Sequence, residues 1–193
     1  MKAWDISEVK SLLAVTQKND YSFYVLMLIA IFHGLRVSEA CNLRKRDFVV
    51  IGGQMKLRVG RLKGSLETEQ SLHHDADPLL DEDLVIQRYI NQLHSDDLFF
   101  TMKNGTAMSR FHADREVKKY CALAGIDASR AHMHCAKHSL GMLLRKARRP
   151  IEEIAKALGH KNLNSTMVYM NVTDEDADFA REAAFATAAG GDK

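Results

Sequence analysis

The 193-residue chain carries 27 lysines and arginines against 25 acids, a formal net charge of +2, and 46% hydrophobic residues. That length and balance describe one domain with at most a short appendage, large enough to bury a core, and exclude a disordered or low-complexity chain. Cys41, Cys121 and Cys135 form no CxxC pair, which excludes a disulfide framework or a cysteine-based zinc site, and the longest apolar run, residues 23–32, is too short to cross a bilayer. Met1-Lys2 is followed at once by a polar helix start, so no signal peptide is read, and the expectation is a soluble cytoplasmic protein without a membrane partner.

Taken in order, Asp5 or Ser7 is placed to cap a first helix with Val9, Leu12 and Leu13 turned inward. YSFYVLMLIAIF then reads as a buried helix, interrupted by His33-Gly34-Leu35-Arg36 before a short helix, SEACNLR, that begins at Ser38 and Glu39. Arg36 therefore lies at a junction beside the most apolar element, where a guanidinium needs an anion. From Asp47 the pattern changes to DFVVI, a Gly52-Gly53 turn and QMKLRVGRL, with Glu67 to Leu72 as a third strand and Lys63 in the second hairpin. Pro78 to Leu93 returns to helical spacing. Ser109 caps a helix running to about Leu123, and Gly125 ends it. TDED at Thr173 opens an Ala-rich C-terminal helix to about Ala189. The sum is a mainly α chain with a small antiparallel three-stranded sheet, an α+β fold.

Charge is segregated along this chain. Residues 44–63 hold seven basic side chains against one acid, and residues 130–161 hold eight against two. Residues 75–97 hold seven acids against one base, and residues 174–193 hold six against two. A basic face of this kind suits a polyanion, and the candidates for it are Arg44, Lys45, Arg61, Arg145 and Lys161. Within the second basic stretch stand His134, His138, His160 and Tyr169. Cations neutralise phosphate oxygens and a phenol is a nucleophile, so the stretch points to handling of a phosphodiester. Adjacent His73 and His74 in an acidic turn read as a loop and not as a metal site.

HGLRVSEACNLRKRDF, RLKGS, HCAKH and LGHKNLNSTMVY resemble, in that order, the catalytic-domain motifs of the tyrosine recombinase (phage integrase) family, over roughly residues 5 to 175. The wording is similar to that of compact integrases and fimbrial-switch invertases. The resemblance implies the family's catalytic-domain fold over residues 1–173, with residues 174–193 as a helical tail that docks on a neighbouring protomer. It implies double-stranded DNA as partner, self-association on DNA up to a synaptic tetramer, no small-molecule substrate, and no cofactor, metal or ATP. Arg36 matches the first catalytic arginine, Lys63 the mobile hairpin lysine that serves as general acid, and His134 the start of the H-x-x-R-H box. Lys137 stands where that box has its arginine, and His138 closes it. His160 matches the histidine of the LGH motif and Tyr169 the nucleophile, with Glu39 and His138 as supporting residues.

The departure at Lys137 keeps a positive charge but replaces a planar two-pronged donor with a point charge, which leaves slower chemistry, a restricted substrate or a degenerate integrase as alternatives. Family members carry a DNA-clamping domain ahead of this region, whereas few residues precede the first helix here. A competing reading takes IEEIAKALGHKNLNSTMVYM as a helix-turn-helix in a non-catalytic DNA-binding regulator, with Tyr169 as scaffold. An RNA-binding module lacks the interleaved aromatics that stack bases. A type IB topoisomerase shares the chemistry but not the motif wording.

Overall fold

The computed structural model describes residues 2–60, 66–91, 93–94, 97–102 and 104–170, with 177–178, 181–182 and 185 in the tail. Seven α-helices and three strands are found there: α1 (Ile6–Asn19), α2 (Tyr21–Phe32), α3 (Val37–Cys41), β1 (Phe48–Ile51), β2 (Gln54–Val59), β3 (Thr68–Ser71), α4 (Glu82–Ile90), α5 (Arg110–Leu123), α6 (His134–Lys146) and α7 (Ile151–Ala157).

Helix α1 starts with a reciprocal capping box. The Asp5 carboxylate accepts from the Glu8 N–H, and Glu8 Oε2 accepts from the Asp5 N–H at 3.1 Å. Residues 23–31 of α2 are all buried, because α1, α3, α4 and α6 surround it. A helix apolar on every side needs such a jacket. The N-terminal segment is stapled across the domain: the Trp4 backbone N–H donates to Ser139 Oγ of α6 at 2.8 Å, and its indole N–H donates to the Arg130 carbonyl at 3.0 Å. Trp4 is thus buried at the foot of α6, which fixes the direction in which that helix presents its other face.

The strands pair antiparallel in the order β1-β2-β3, Phe48 opposite Leu57 and Val59 opposite Thr68. The predicted α+β architecture is the one found. Helix α4 is shorter than the apolar spacing suggests, since Asp81 caps it by accepting from the Leu84 N–H at 3.0 Å. The Ala-rich tail helix falls largely outside the described residues.

The segment after α7 departs most from a helical reading. Residues 163–165 and 167–169 form two single 3-10 turns, not an α-helix. Among the described residues there is therefore no second helix after Gly159 that would serve as a recognition helix, and the helix-turn-helix reading fails on geometry. The turns fold back so that Tyr169 packs with Ile154 and Leu158 of the α7 region in a small apolar cluster beside the main core.

Candidate active site

Arg36 occupies the N-cap position of α3. Its guanidinium donates to Glu39 Oε1 at 2.8 Å, and its backbone N–H donates to Glu39 Oε2, also at 2.8 Å. The Glu39 side chain is fully buried while that of Arg36 keeps 25% exposure. A buried carboxylate needs a cation, and here it both caps the helix and aims the arginine.

His134 is the first residue of α6 and is exposed, and His138 lies one turn on. Their rings meet edge to face with centroids 4.4 Å apart. Partial burial, then the charges of His132, Lys137 and Arg36, hold the His134 imidazole below its ordinary value. Arg36 and Lys137 thus act electrostatically on one imidazole, although the chain separates them by a hundred residues.

Lys137 is turned inward and is 3% exposed. Its ammonium donates to the carbonyl oxygens of Gly34 at 3.1 Å and Leu158 at 2.5 Å. Gly34 follows the end of α2 and Leu158 is the C-cap of α7, so the cation joins the chain segments that leave two helices. The arrangement depends on Gly34, whose φ is +56° and whose missing β-carbon would stand 2.7 Å from Leu158 Cδ2. An L side chain there would strain the backbone and part the two loops.

Tyr169 is 4% exposed, and its hydroxyl lies 2.9 Å from His138 Nδ1. Burial pushes the phenol up to about 12. Burial, followed by the positive charge of His134, His132 and Lys137, pushes the His138 imidazole down to about 4. At neutral pH the phenol is therefore the donor and the neutral Nδ1 the acceptor. His160 joins the same assembly through Thr166: its Nδ1 lies 2.9 Å from the Thr166 hydroxyl, and the Thr166 carbonyl accepts the Tyr169 N–H at 3.0 Å.

The structure thus brings Arg36, Glu39, His134, Lys137, His138, His160 and Tyr169 into one connected set. Lys63 and Arg61 lie outside the described residues. Arg44 lines a cleft with Glu39, Arg46 and Arg58. Lys45 instead donates to the Leu93 carbonyl at 2.5 Å. Arg145 sits in the last turn of α6, and Lys161 is exposed immediately after His160. Thr166, fully buried, and Gly141, against which Tyr169 packs, belong to the site and were not singled out from the sequence. Thr166 stood within the NSTMVY motif, but a threonine three residues before a tyrosine carries no distinct signal of its own.

An α+β domain of this build, with a small sheet at one edge, has the tyrosine recombinase catalytic-domain fold. It superposes on the XerH site-specific recombinase bound to difH substrate with TM-score 0.75 at 20% identity, covering 94% of this chain and 54% of that one. On a lambda integrase tetramer bound to a Holliday junction the TM-score is 0.65 at 15% identity, covering 83% of this chain and 47% of that one. The model of the phage integrase family matches residues 3–176, and the chain belongs to that family. Among its relatives, tyrosine recombinase XerH of Campylobacter jejuni is 28% identical over 160 residues, 83% of this chain and 44% of that protein. The type 1 fimbriae regulatory protein FimE of Escherichia coli is 30% identical over 151 residues, 76% of this chain and 72% of that protein. The chain spans about half the length of the first recombinases it matches. No helix among the described residues is long and apolar enough to cross a membrane.

Proposed function

We propose that this chain is the catalytic domain of a cytoplasmic site-specific DNA recombinase that breaks and rejoins strands through Tyr169. The observation that carries the reading is the 2.9 Å contact between the Tyr169 hydroxyl and His138 Nδ1 inside a set of cationic and imidazole side chains. A phenol there has a proton acceptor in place before any substrate binds.

In the proposed reaction the Tyr169 oxygen attacks the scissile phosphorus, and a phosphotyrosyl bond forms as the bond to the 5′-oxygen breaks. The phenolic proton passes to His138, whose basicity rises when a phosphate anion enters beside it. Arg36, His134 and His160 face the non-bridging oxygens, where negative charge develops. The leaving 5′-oxygen takes a proton from a general acid, the role the family pattern gives to Lys63. One ester replaces another, so the strand is rejoined by the reverse steps without ATP.

Lys137 supports the reading in a different way from a phosphate-gripping arginine. Its ammonium holds the Arg36 loop and the His160 loop together through their carbonyls, and its charge is added from behind. Double-stranded DNA is the partner, docked along Arg44, Arg145 and Lys161. A synaptic tetramer is the assembly that the likeness to a lambda integrase tetramer favours, and docking of the tail beyond residue 173 on a neighbouring protomer is part of the same proposal.

The test is a nicked suicide duplex carrying the sequence that flanks the gene. The protein is expected to form a 3′-phosphotyrosyl adduct, and Tyr169→Phe to bind the duplex without forming it. Tight binding by the unaltered protein with no adduct would overturn the reading in favour of a non-catalytic DNA binder.

A further inference from the structure

Behind the site lies a buried polar bracket with no part in the chemistry described so far. His33, the C-cap of α2, is 2% exposed, and Glu82 of α4 is fully buried. The His33 ring bonds on both sides: Nδ1 lies 2.8 Å from Gln70 Oε1 on β3, and Nε2 lies 2.8 Å from Glu82 Oε1. The other oxygen of Glu82 accepts the His73 N–H at 3.0 Å. Gln70 Nε2 donates to the Ala157 carbonyl at the end of α7 at 2.8 Å.

The proton placement follows from these partners. A carbonyl only accepts, so the amide nitrogen of Gln70 must face Ala157 and its oxygen must face His33. His33 Nδ1 therefore carries a hydrogen, and one more proton is shared along the Nε2–Glu82 axis. The pair is neutral overall whichever partner holds that proton, which suits complete burial.

What the bracket joins is specific. His33 is three residues before Arg36, and Ala157 is three residues before His160. Lys137 ties the same two segments through Gly34 and Leu158. The two segments are thus held at two levels, by an ammonium on one side and by the Gln70 amide with the His33 ring on the other. Fixed groups placed where charge develops lower a barrier only if their spacing is held to a fraction of an ångström.

We propose that Gln70 and His33 are positioning residues, which set the separation of Arg36 and His160 by locking strand β3 to both of their loops. This rests on the recombinase reading of the site. Gln70→Leu removes both of the amide's bonds, whereas Gln70→Glu keeps an acceptor for His33 and loses the donor to Ala157.

Single-turnover cleavage is measured on two nicked duplexes, one with the natural phosphodiester and one with a methylphosphonate at the scissile position. Replacing a charged oxygen by methyl leaves less charge for Arg36 and His160 to offset. Both variants are expected to cleave the phosphodiester 10- to 100-fold more slowly with unchanged duplex affinity, and to lose several-fold less on the methylphosphonate. Gln70→Glu is read by itself if Gln70→Leu does not fold. Unchanged cleavage, or an equal loss on both duplexes, would overturn the positioning role. A parent protein that forms no adduct on either duplex would instead refute the recombinase reading beneath it.

Discussion

Gly141 and Tyr169 are in direct contact: a β-carbon on Gly141 would lie 2.6 Å from both Cε1 and Cζ of the tyrosine ring. Elsewhere in a helix interior, alanine is favoured over glycine by about 1 kcal/mol. Here α6 gives up that gain so that the ring can pack directly against its backbone and reach His138. Gly141→Ala is expected to displace the ring and lower adduct formation at least ~10-fold, the cost of a misplaced nucleophile. Gel-shift affinity for duplex should be unchanged, and thermal stability should not show the usual glycine-to-alanine gain. Adduct formation at the parent rate would show that the ring does not need this seat.

Lys137 makes two opposite predictions. Lys137→Met leaves the carbonyls of Gly34 and Leu158 without their buried donor, a loss of roughly 2–4 kcal/mol of stability by chemical denaturation. Lys137→Arg keeps the charge and carries enough donors for both carbonyls. It is expected to fold and to retain or raise cleavage. Complete loss in a folded arginine variant would give the lysine some other duty than charge and loop tethering.

The depressed imidazole and the raised phenol give the domain a predictable pH profile. His138 binds its proton at about 4 when folded and at an ordinary 6.5 when unfolded, so the unfolded chain takes up the extra proton between those values. Its contribution is fully present above pH 6.5 and is lost as pH falls toward 4, at no more than about 1.4 kcal/mol per pH unit. Tyr169 acts at the other end, where stability falls as pH rises from 10 toward about 12. Melting temperatures across pH 4–7 should fall less steeply in His138→Phe than in the parent. An identical acid limb in both would remove His138 as its source.

The Arg36–Glu39 pair predicts a mutational asymmetry. Glu39→Gln keeps acceptor capacity for the α3 cap but discards the charge that holds the guanidinium. Stability should drop by roughly 1.5–3 kcal/mol, the scale of one hydrogen bond to a charged group, while cleavage drops about 10- to 100-fold because the guanidinium loses the carboxylate that aims it. Equal and small effects on both would mean that the arginine is oriented by its other neighbours.

Local signals carried much of the architecture. Capping carboxylates at Asp5 and Asp81, the unbroken apolar run of α2 and the Gly52-Gly53 turn each act within a few residues, so helices, hairpin and sheet were legible in order. Arg36 at a helix junction and Tyr169 nine residues after His160 were readable for the same reason, as motif positions. Tertiary structure alone decided which way each of those side chains turned. It carried Lys137 inward onto carbonyls 103 and 21 residues away, Tyr169 onto an imidazole 31 residues away, and Gln70 onto a carbonyl 87 residues away. It also wound residues 163–169 into 3-10 turns where their spacing suits a helix. Local propensity sets what a segment prefers, but burying the phenol and bonding Lys137 to the Gly34 and Leu158 carbonyls are costs and gains that arise only when distant segments meet.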